Sequence, residues 1–370
     1  MRTKPFFVFL AALGLAVCAP SGAGAETAIQ PGPVPASATP LRLAIPSDHA
    51  YGGAYIEFGD REDTVTLEKI EHFDTLVHRQ QAIIAFTSDW GNQSFPERQL
   101  RIVANYGAVP LVYWSPWDRP ADNRTPPPRR FDLNAILAGT WDSYIDSWAE
   151  RARDYGKPLL VAWGLEMNGT WFPWSGAFYG GGQAVAGCER CFAGPEKYKQ
   201  TYRYVVDRVR ARGAHNILWV WHANNVSMPD VPWNAMANYY PGPRYADWLG
   251  ISAYGTQFGT EQWMPVDRVL TSAYRRLGAI DESKPLMLAE WGVGEFPDKG
   301  DRAQWIAELF ARLPSDYSRI RAAVYWHERW QNGDQSYSNL RANSSPEALA
   351  AFRQGIASPY WLSRPILERD

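Results

Sequence analysis

Cysteine is scarce in this chain, with three residues in 370. Histidine is also scarce, at six, and no H-x-x-x-H or H-E-x-x-H spacing occurs, so no metal site is indicated. G-x-G-x-x-G and G-x-x-x-x-G-K are both absent, which removes the sequence signatures of a dinucleotide fold and of a P-loop. No cofactor is expected. Neither sign of charge dominates: 37 Lys and Arg stand against 39 Asp and Glu, for a net charge of −2 and a pI near 6.3. With no basic stripe carrying interleaved aromatic residues, a nucleic-acid partner is not expected. Beyond the N-terminus no apolar run is long enough for a transmembrane helix, so no integral membrane segment is expected.

The N-terminus reads as an export signal over residues 1–25. Arg2 and Lys4 supply the positive start, Phe6 to Ala16 the short apolar stretch, and Ala23-Gly24-Ala25 the small-residue cleavage site. This predicts a secreted or periplasmic protein. Lipoprotein anchoring through Cys18 is the weaker alternative, because Leu15-Ala16-Val17-Cys18 places the bulky Val17 where a small residue is needed. Residues 26–48, rich in Pro, Ala and small polar residues, read as a flexible linker. The remaining cysteines, Cys188 and Cys191, form a single C-x-x-C with no second pair and no nearby histidine, a poor zinc pattern. In an exported protein the expectation is a disulfide that tightens one loop. A thioredoxin-like role would need the motif at the first helix of a small α/β domain.

What the chain does have is apolar sequence, 46% of residues, in a repeating pattern. β-prone segments occur at 54–58, 82–86, 110–114, 159–163, 217–221, 248–254, 286–290 and 322–326. Most are separated by stretches of helical period. Leu67, Ile70, Phe73, Leu76 and Val77 share one helical face, as do Tyr198, Tyr202, Val205, Val206 and Val209, and later Val266, Val269, Leu270, Ala273 and Leu277. Gly213 and the Gly156-Lys157-Pro158 and Ser283-Lys284-Pro285 junctions stop helices ahead of strands. Eight strand–helix units of this kind close most simply into an α/β fold of the (β/α)8 TIM-barrel type, a single catalytic domain over residues 49–365. A doubly wound open sheet is the alternative, and the missing phosphate loop argues against it.

In such a barrel, catalytic groups sit at the C-terminal ends of strands. The fourth apolar run leads to Glu166 and the seventh to Glu290, while Asp89, Asp118, His222, His327, Glu328 and Arg329 follow others. Two carboxylates converging over one barrel mouth meet the requirement of glycoside hydrolysis, one to protonate the leaving oxygen and one to attack the anomeric carbon. The barrel allows the ~5 Å separation of a retaining mechanism. A lone strand-end Glu is more often a solvated rim residue or half of an ion pair; two of them embedded in apolar and aromatic sequence read differently. Glu295 is the runner-up for the second carboxylate, but it lies past the strand end. Tryptophan, at 18 residues, is plentiful, and its faces suit both core packing and sugar stacking.

Glu166-Met167-Asn168-Gly169, followed by Trp171-Phe172 and Trp174, resembles the acid/base motif of glycoside hydrolase family 26, a family of β-mannanases with some mixed-linkage β-glucanases and β-1,3-xylanases. The likeness continues through Ala138–Asp142, Asn216–Trp221 with Asn224-Asn225, Tyr239–Gly242, Asp247–Gly250 with Tyr254, and Ala289–Gly292, and spans roughly residues 50 to 330. The resemblance implies that Glu166 is the general acid/base and Glu290 the nucleophile. It implies that Tyr254 orients that nucleophile, that Trp171 lines the sugar site and that Trp326 forms a platform beneath the reacting sugar, although core packing is an equal reading of Trp326. Trp114, His222 and Asn168 complete the candidate substrate-binding set, with Asn168 read more as a support of its loop. Asn168-Gly169-Thr170 also matches a glycosylation sequon, a use its place beside the acid/base disfavours.

Three positions depart from the family pattern. Leu165 replaces the His that usually precedes the acid/base, Ser115 stands where a Glu is usual, and Ser252 stands where an acidic residue is common. Each removes a polar or charged group from the expected site, so the reaction is expected to be kept while sugar specificity has drifted from mannan. His222 is a candidate replacement for the hydrogen bond of the missing His. The expected function is therefore retaining hydrolysis of a β-linked polysaccharide by a monomer. The alternatives are hydrolysis of a bacterial exopolysaccharide and a non-catalytic carbohydrate-binding barrel. The loops 118–130 and 179–195 are candidate cleft walls.

Overall fold

The structure is a computed structural model and describes residues 41–118 and 129–369, all within one compact unit. The segment read as an export signal, Cys18, most of the segment read as a linker and most of the 118–130 loop lie outside the described residues. Eight parallel strands form the centre: β1 (Ala50–Ile56), β2 (Ile83–Asp89), β3 (Val109–Ser115), β4 (Leu159–Trp163), β5 (Ile217–Asn224), β6 (Trp248–Tyr254), β7 (Leu286–Gly292) and β8 (Ile320–His327). Each pairs with the next, and β1 pairs with β8 from Tyr51↔Ala322 through Ile56↔His327, which closes the barrel. Nearly every strand residue is buried. Such strands show continuous apolar runs rather than alternation because one face packs inward and the other against helices. All eight predicted strands are present; the first begins earlier than its predicted segment, at Ala50.

Among the described residues, seven helices of ten residues or more cover the outside: α1 (Leu67–Val77), α2 (Glu97–Tyr106), α3 (Asp142–Tyr155), α4 (Ala193–Ala211), α5 (Val266–Gly278), α6 (Arg302–Arg312) and α7 (Pro346–Ile356). Local chemistry sets their ends. Thr66 caps α1 by accepting the Lys69 amide at 3.2 Å, and Asp301 caps α6 through the Gln304 amide. Gly156, at φ +66°, ends α3 one turn of chain before β4, as the sequence predicts. On α1 the predicted apolar face is narrower: Ile70, Phe73 and Val77 are buried, but Leu67 in the first turn is exposed. No α-helix follows β5; two 3-10 turns, Pro232–Asn234 and Met236–Tyr239, cover that side.

One expectation needs correction. Residues 41–43 lie in the segment read as linker, yet they form a strand antiparallel to Leu367–Arg369, with Leu41 opposite Arg369. The paired strands therefore reach past both ends of the predicted 49–365 domain. Of the two uses open to tryptophan, core packing takes the larger share. Ten of the 18, including Trp90, Trp148 and Trp219, are fully buried. They fill the shell between strands and helices, as where Trp114 of β3 stacks on Trp148 of α3 at 4.2 Å. Among the described residues no helix is long and apolar enough to cross a membrane.

Candidate active site

β4 stops at Trp163, three residues short of Glu166. Gly164 at φ +56° and Glu166 at φ +52° then turn the chain across the barrel mouth. A left-handed glutamate is uncommon and needs holding in place. Three hydrogen bonds do this: the Glu166 amide donates to the His222 carbonyl of β5 at 2.7 Å, Gly169 donates to the Glu166 carbonyl at 2.9 Å, and Trp174 Nε1 donates to the Leu165 carbonyl at 2.6 Å. The Leu165 side chain points into the core and is buried.

The Glu166 carboxylate accepts the indole N–H of Trp171 at 2.6 Å. Gly169 makes that possible, since a Cβ there would sit 2.5 Å from the Trp171 ring. Burial holds the Glu166 carboxyl above the usual carboxylate range, and the polar influence of Ser252 and the hydrogen bond from Trp171 partly offset it, because they favour the ionised form.

Glu290 lies on β7 where the ladder is irregular. The register with β6 slips between Ile251/Ser252, so that Ile251 faces Leu288 but Ser252 faces Glu290. A bulge of this kind re-aims a side chain, here toward the barrel mouth. Tyr254 donates its hydroxyl to Glu290 Oε2 at 2.7 Å. Burial and the adjacent Glu290 charge push the Tyr254 hydroxyl well up, so it stays protonated as a donor. Tyr113 of β3, held by the Ala289 carbonyl at 2.7 Å, is pushed up by the same two causes. Ser252 is therefore next to Glu290 in the ladder.

Both glutamates open onto one cleft of about 1070 Å³. Trp171, Tyr254, Trp326 and Trp330 line it, with Asp60 and Glu62 after β1, Asn224–Val226 and Met228 after β5, Phe258 and Met264 after β6, and Glu328 after β8. Trp326 is stacked on Tyr55 at 4.0 Å and its indole N–H is tied to Glu328 at 2.8 Å, which presents a fixed ring at the cleft floor.

The other predicted site residues lie elsewhere. Trp114 points away from the cleft: fully buried, it bonds Tyr144 of α3 at 2.9 Å and packs against the helical shell. Neighbouring side chains on a strand face opposite sides, and its neighbour Tyr113 takes the inward position. Asn168 is fully buried and bridges loops, accepting the Asn224 amide at 2.8 Å and donating to the Asn224 carbonyl at 3.0 Å, so it touches no sugar and is inaccessible to a glycan. His222 is buried beneath the cleft and meets Ser252 at 2.8 Å. Glu295 is turned away and faces the buried Arg302 at 3.7 Å. Cys188 and Cys191 are joined in a disulfide, and no residue of the 179–195 loop that carries them lines the cleft. Sequence reasoning missed Asp60 and Glu62, which carry no motif, and gave no sign that Ser252 would meet His222.

The model of glycosyl hydrolase family 26 matches residues 132–332. Endoglucanase H of Acetivibrio thermocellus is 30% identical over 293 residues, which covers 78% of this chain and 29% of that protein. This chain belongs to glycosyl hydrolase family 26. A mannan endo-1,4-beta-mannosidase of Bacillus subtilis is 27% identical over 54% of the chain and 45% of its own length. The chain thus spans less than half the length of these relatives. In fold, the barrel matches the catalytic domain of a Bacillus sp. JAMB-750 endo-beta-1,4-mannanase with a TM-score of 0.60 at 17% identity, over 85% of this chain and 87% of that one. It matches the endo-beta-1,4-mannanase of Cellulomonas fimi with a TM-score of 0.59 at 18% identity, over 85% and 72%.

Proposed function

We propose that this member of family 26 is an exported glycoside hydrolase that cleaves a β-linked polysaccharide, a β-glucan or β-mannan, by double displacement. The observation that carries the reading is the pair of glutamates on β4 and β7 facing one cleft, each held by its own aromatic donor, Trp171 on Glu166 and Tyr254 on Glu290. Glu290, ionised, attacks the anomeric carbon, while Glu166, kept protonated by burial, delivers its proton to the departing oxygen. Esterification of Glu290 removes its charge, and Glu166 then accepts a proton from the water that hydrolyses the intermediate. Trp326 and Trp171 offer ring faces to the sugars on either side of the bond. The endoglucanase relative, aligned over more of the chain than the mannosidase, supports including β-glucan beside β-mannan. The N-terminal signal pattern supports export.

Incubation with activated 2-deoxy-2-fluoro β-glucosides and β-mannosides tests the mechanism. Stoichiometric labelling of Glu290 by peptide mass is the expected result; an unlabelled protein that binds but does not cleave mannan, mixed-linkage glucan, xylan or a bacterial exopolysaccharide would overturn it. Product profiles on the same polysaccharides identify the substrate. Mass of the secreted protein and its N-terminus tests export and cleavage after Ala25.

A further inference from the structure

Past the end of β8 the chain makes a small hairpin that carries a second tryptophan into the cleft. The strand Arg329–Gln331 turns back through residues 332–336 and pairs antiparallel with Tyr337–Asn339, with Trp330 opposite Ser338. The pleat sends alternate side chains to opposite faces. Arg329, Gln331 and Tyr337 are exposed on the outer face, where the Arg329 guanidinium lies 3.6 Å from the centre of the Tyr337 ring. Trp330 and the buried Ser338 take the inner face, and Trp330 lines the same cleft as Glu166 and Glu290. An isolated two-stranded hairpin is marginal in water. This one is tied to three neighbouring loops. Glu57, after β1, accepts the Arg329 amide at 3.2 Å and Arg341 Nε at 2.6 Å, which fixes both ends of the hairpin. The Ser338 hydroxyl donates to the Gln257 carbonyl after β6 at 2.7 Å, and the Glu295 amide after β7 donates to the Asn339 carbonyl at 3.1 Å.

The ring so held differs from the other tryptophans of the barrel. Trp326 is stacked on Tyr55, and Trp90, Trp114 and Trp148 pack on one another, but no ring among the described residues stacks on Trp330. It is half-buried, packed on the core below and open to the cleft above. We propose that Trp330 is the platform of a further sugar subsite, which binds the pyranose next to the one attacked, on its non-reducing side. The proposal rests on Glu166 being the acid/base and on Trp326 seating the sugar attacked. Under that reading Trp171, bonded to Glu166, marks the leaving-group end of the cleft. β4 and β8 lie opposite each other in the closed ring, so the hairpin after β8 marks the other end. Trp326 and Trp330 are four residues apart, at most about 14 Å between Cα atoms, which suits neighbouring units of one extended glycan. An indole face fits the apolar C–H face of a β-linked pyranose. A glycan seated on both rings is cut with at least two sugars on the non-reducing side of the bond, so release of a monosaccharide from that end is disfavoured.

The test is the cleavage pattern of oligosaccharides labelled at the reducing end, prepared from whichever of mannan and mixed-linkage glucan the parent cuts faster. Competing bonds within one oligosaccharide are cut in proportion to kcat/KM for each way of seating it, so their ratio is insensitive to the overall rate. The parent should rarely cut the first bond from the non-reducing end. Trp330→Ala should raise the ratio of first-bond to second-bond cuts roughly tenfold or more, the effect of truncating an aromatic anchor. Trp330→Leu keeps apolar bulk without a flat face and should behave as Trp330→Ala, while Trp330→Tyr should keep the parent pattern. If Trp330→Ala does not fold, the contrast of Leu with Tyr decides in the same way. An unmoved ratio in the Ala and Leu variants overturns the proposal. So does an equal loss at every bond, which would assign Trp330 to packing of the hairpin. A parent that cuts the polysaccharide but freely releases monosaccharide from the non-reducing end sinks the platform and leaves the hydrolase reading standing. A parent that cuts no glycan and takes no label on Glu290 sinks the hydrolase reading, and the platform falls with it.

Discussion

Trp171 Nε1 meets Glu166 Oε2 at 2.6 Å, and the ring that makes this bond also walls the sugar cleft. The contact spans five residues of one loop and depends on Gly169 leaving room for the indole to fold back. It therefore joins substrate contact and proton chemistry in one side chain.

Trp171→Phe separates these two functions. The ring face remains and the donor is lost. The N–H stabilises ionised Glu166, so its loss raises the Glu166 pKa further, and the alkaline limb of kcat/KM moves to higher pH. A fall in kcat/KM of about ten- to hundredfold is expected, carried mainly by kcat. A pure KM effect with an unmoved limb would show that Trp171 serves only as a sugar surface.

Tyr254→Phe removes the donor on Glu290 Oε2 and leaves the ring packed between strands. The carboxylate loses a charge-assisted bond worth about 1.5–3 kcal/mol, and its orientation loosens. A fall in kcat/KM of roughly ten- to hundredfold with an unchanged melting temperature is expected. Burst kinetics with an activated aryl glycoside should place the loss in formation of the covalent intermediate.

The barrel was legible in the sequence because its eight strands are short apolar runs bounded by Gly and Pro, and strands covered on both faces have that appearance. Glu166 and Glu290 were legible for the same reason: each interrupts or follows such a run. The Ser252–His222 pair was not, because it depends on the register of β5 against β6, which sets His222 opposite Gly250 and brings Ser252 within reach two residues on. Position by position, Ser252 looked like a lost acid. Trp114 misled for a related reason. Its place at a strand end pointed to the cleft, but the pleat gives the inward position to Tyr113, and Trp114 joins Trp90 and Trp148 in the shell. Composition cannot tell a shell tryptophan from a cleft tryptophan.

Asn168→Ala should act through stability. Its side chain bonds both the amide and the carbonyl of Asn224 and reaches Ser227 at 3.2 Å, with all of these groups in or under the β4–β5 loop contact. Truncation leaves buried backbone groups unpaired, at about 2–4 kcal/mol. A melting temperature several degrees lower is expected, with the pH profile of any remaining activity unchanged. A shifted profile would mean that Asn168 takes part in the chemistry.

Glu295 and Glu290 make a controlled pair, five residues apart and facing opposite ways. Glu295 accepts the Ser344 hydroxyl and faces Arg302, a guanidinium that is almost fully buried and also bonds the Val293 carbonyl at 2.7 Å. Glu295→Gln should keep kcat/KM within about threefold and lower stability by about 1–3 kcal/mol, since a buried cation loses its counter-charge. Glu290→Gln should abolish turnover with little loss of stability. Comparable activity losses in the two variants would reopen the identity of the nucleophile.

Glu166→Gln tests the cost of keeping a carboxyl buried for catalysis. The folded pKa of Glu166 is raised above its unfolded value, chiefly by burial. Between those two values the folded state binds more protons than the unfolded one, so stability falls as pH rises through that window and stays lower above it. The neutral amide removes this dependence. Thermal melts of Glu166→Gln should therefore lie above the parent's at neutral pH, and the difference should shrink to nothing as pH falls below the ordinary carboxylate range. Loss of activity with a gain of stability is the pattern expected where a site holds a group in a state the fold alone disfavours. Melts that coincide at neutral pH would show that Ser252 and Trp171 fully offset the burial.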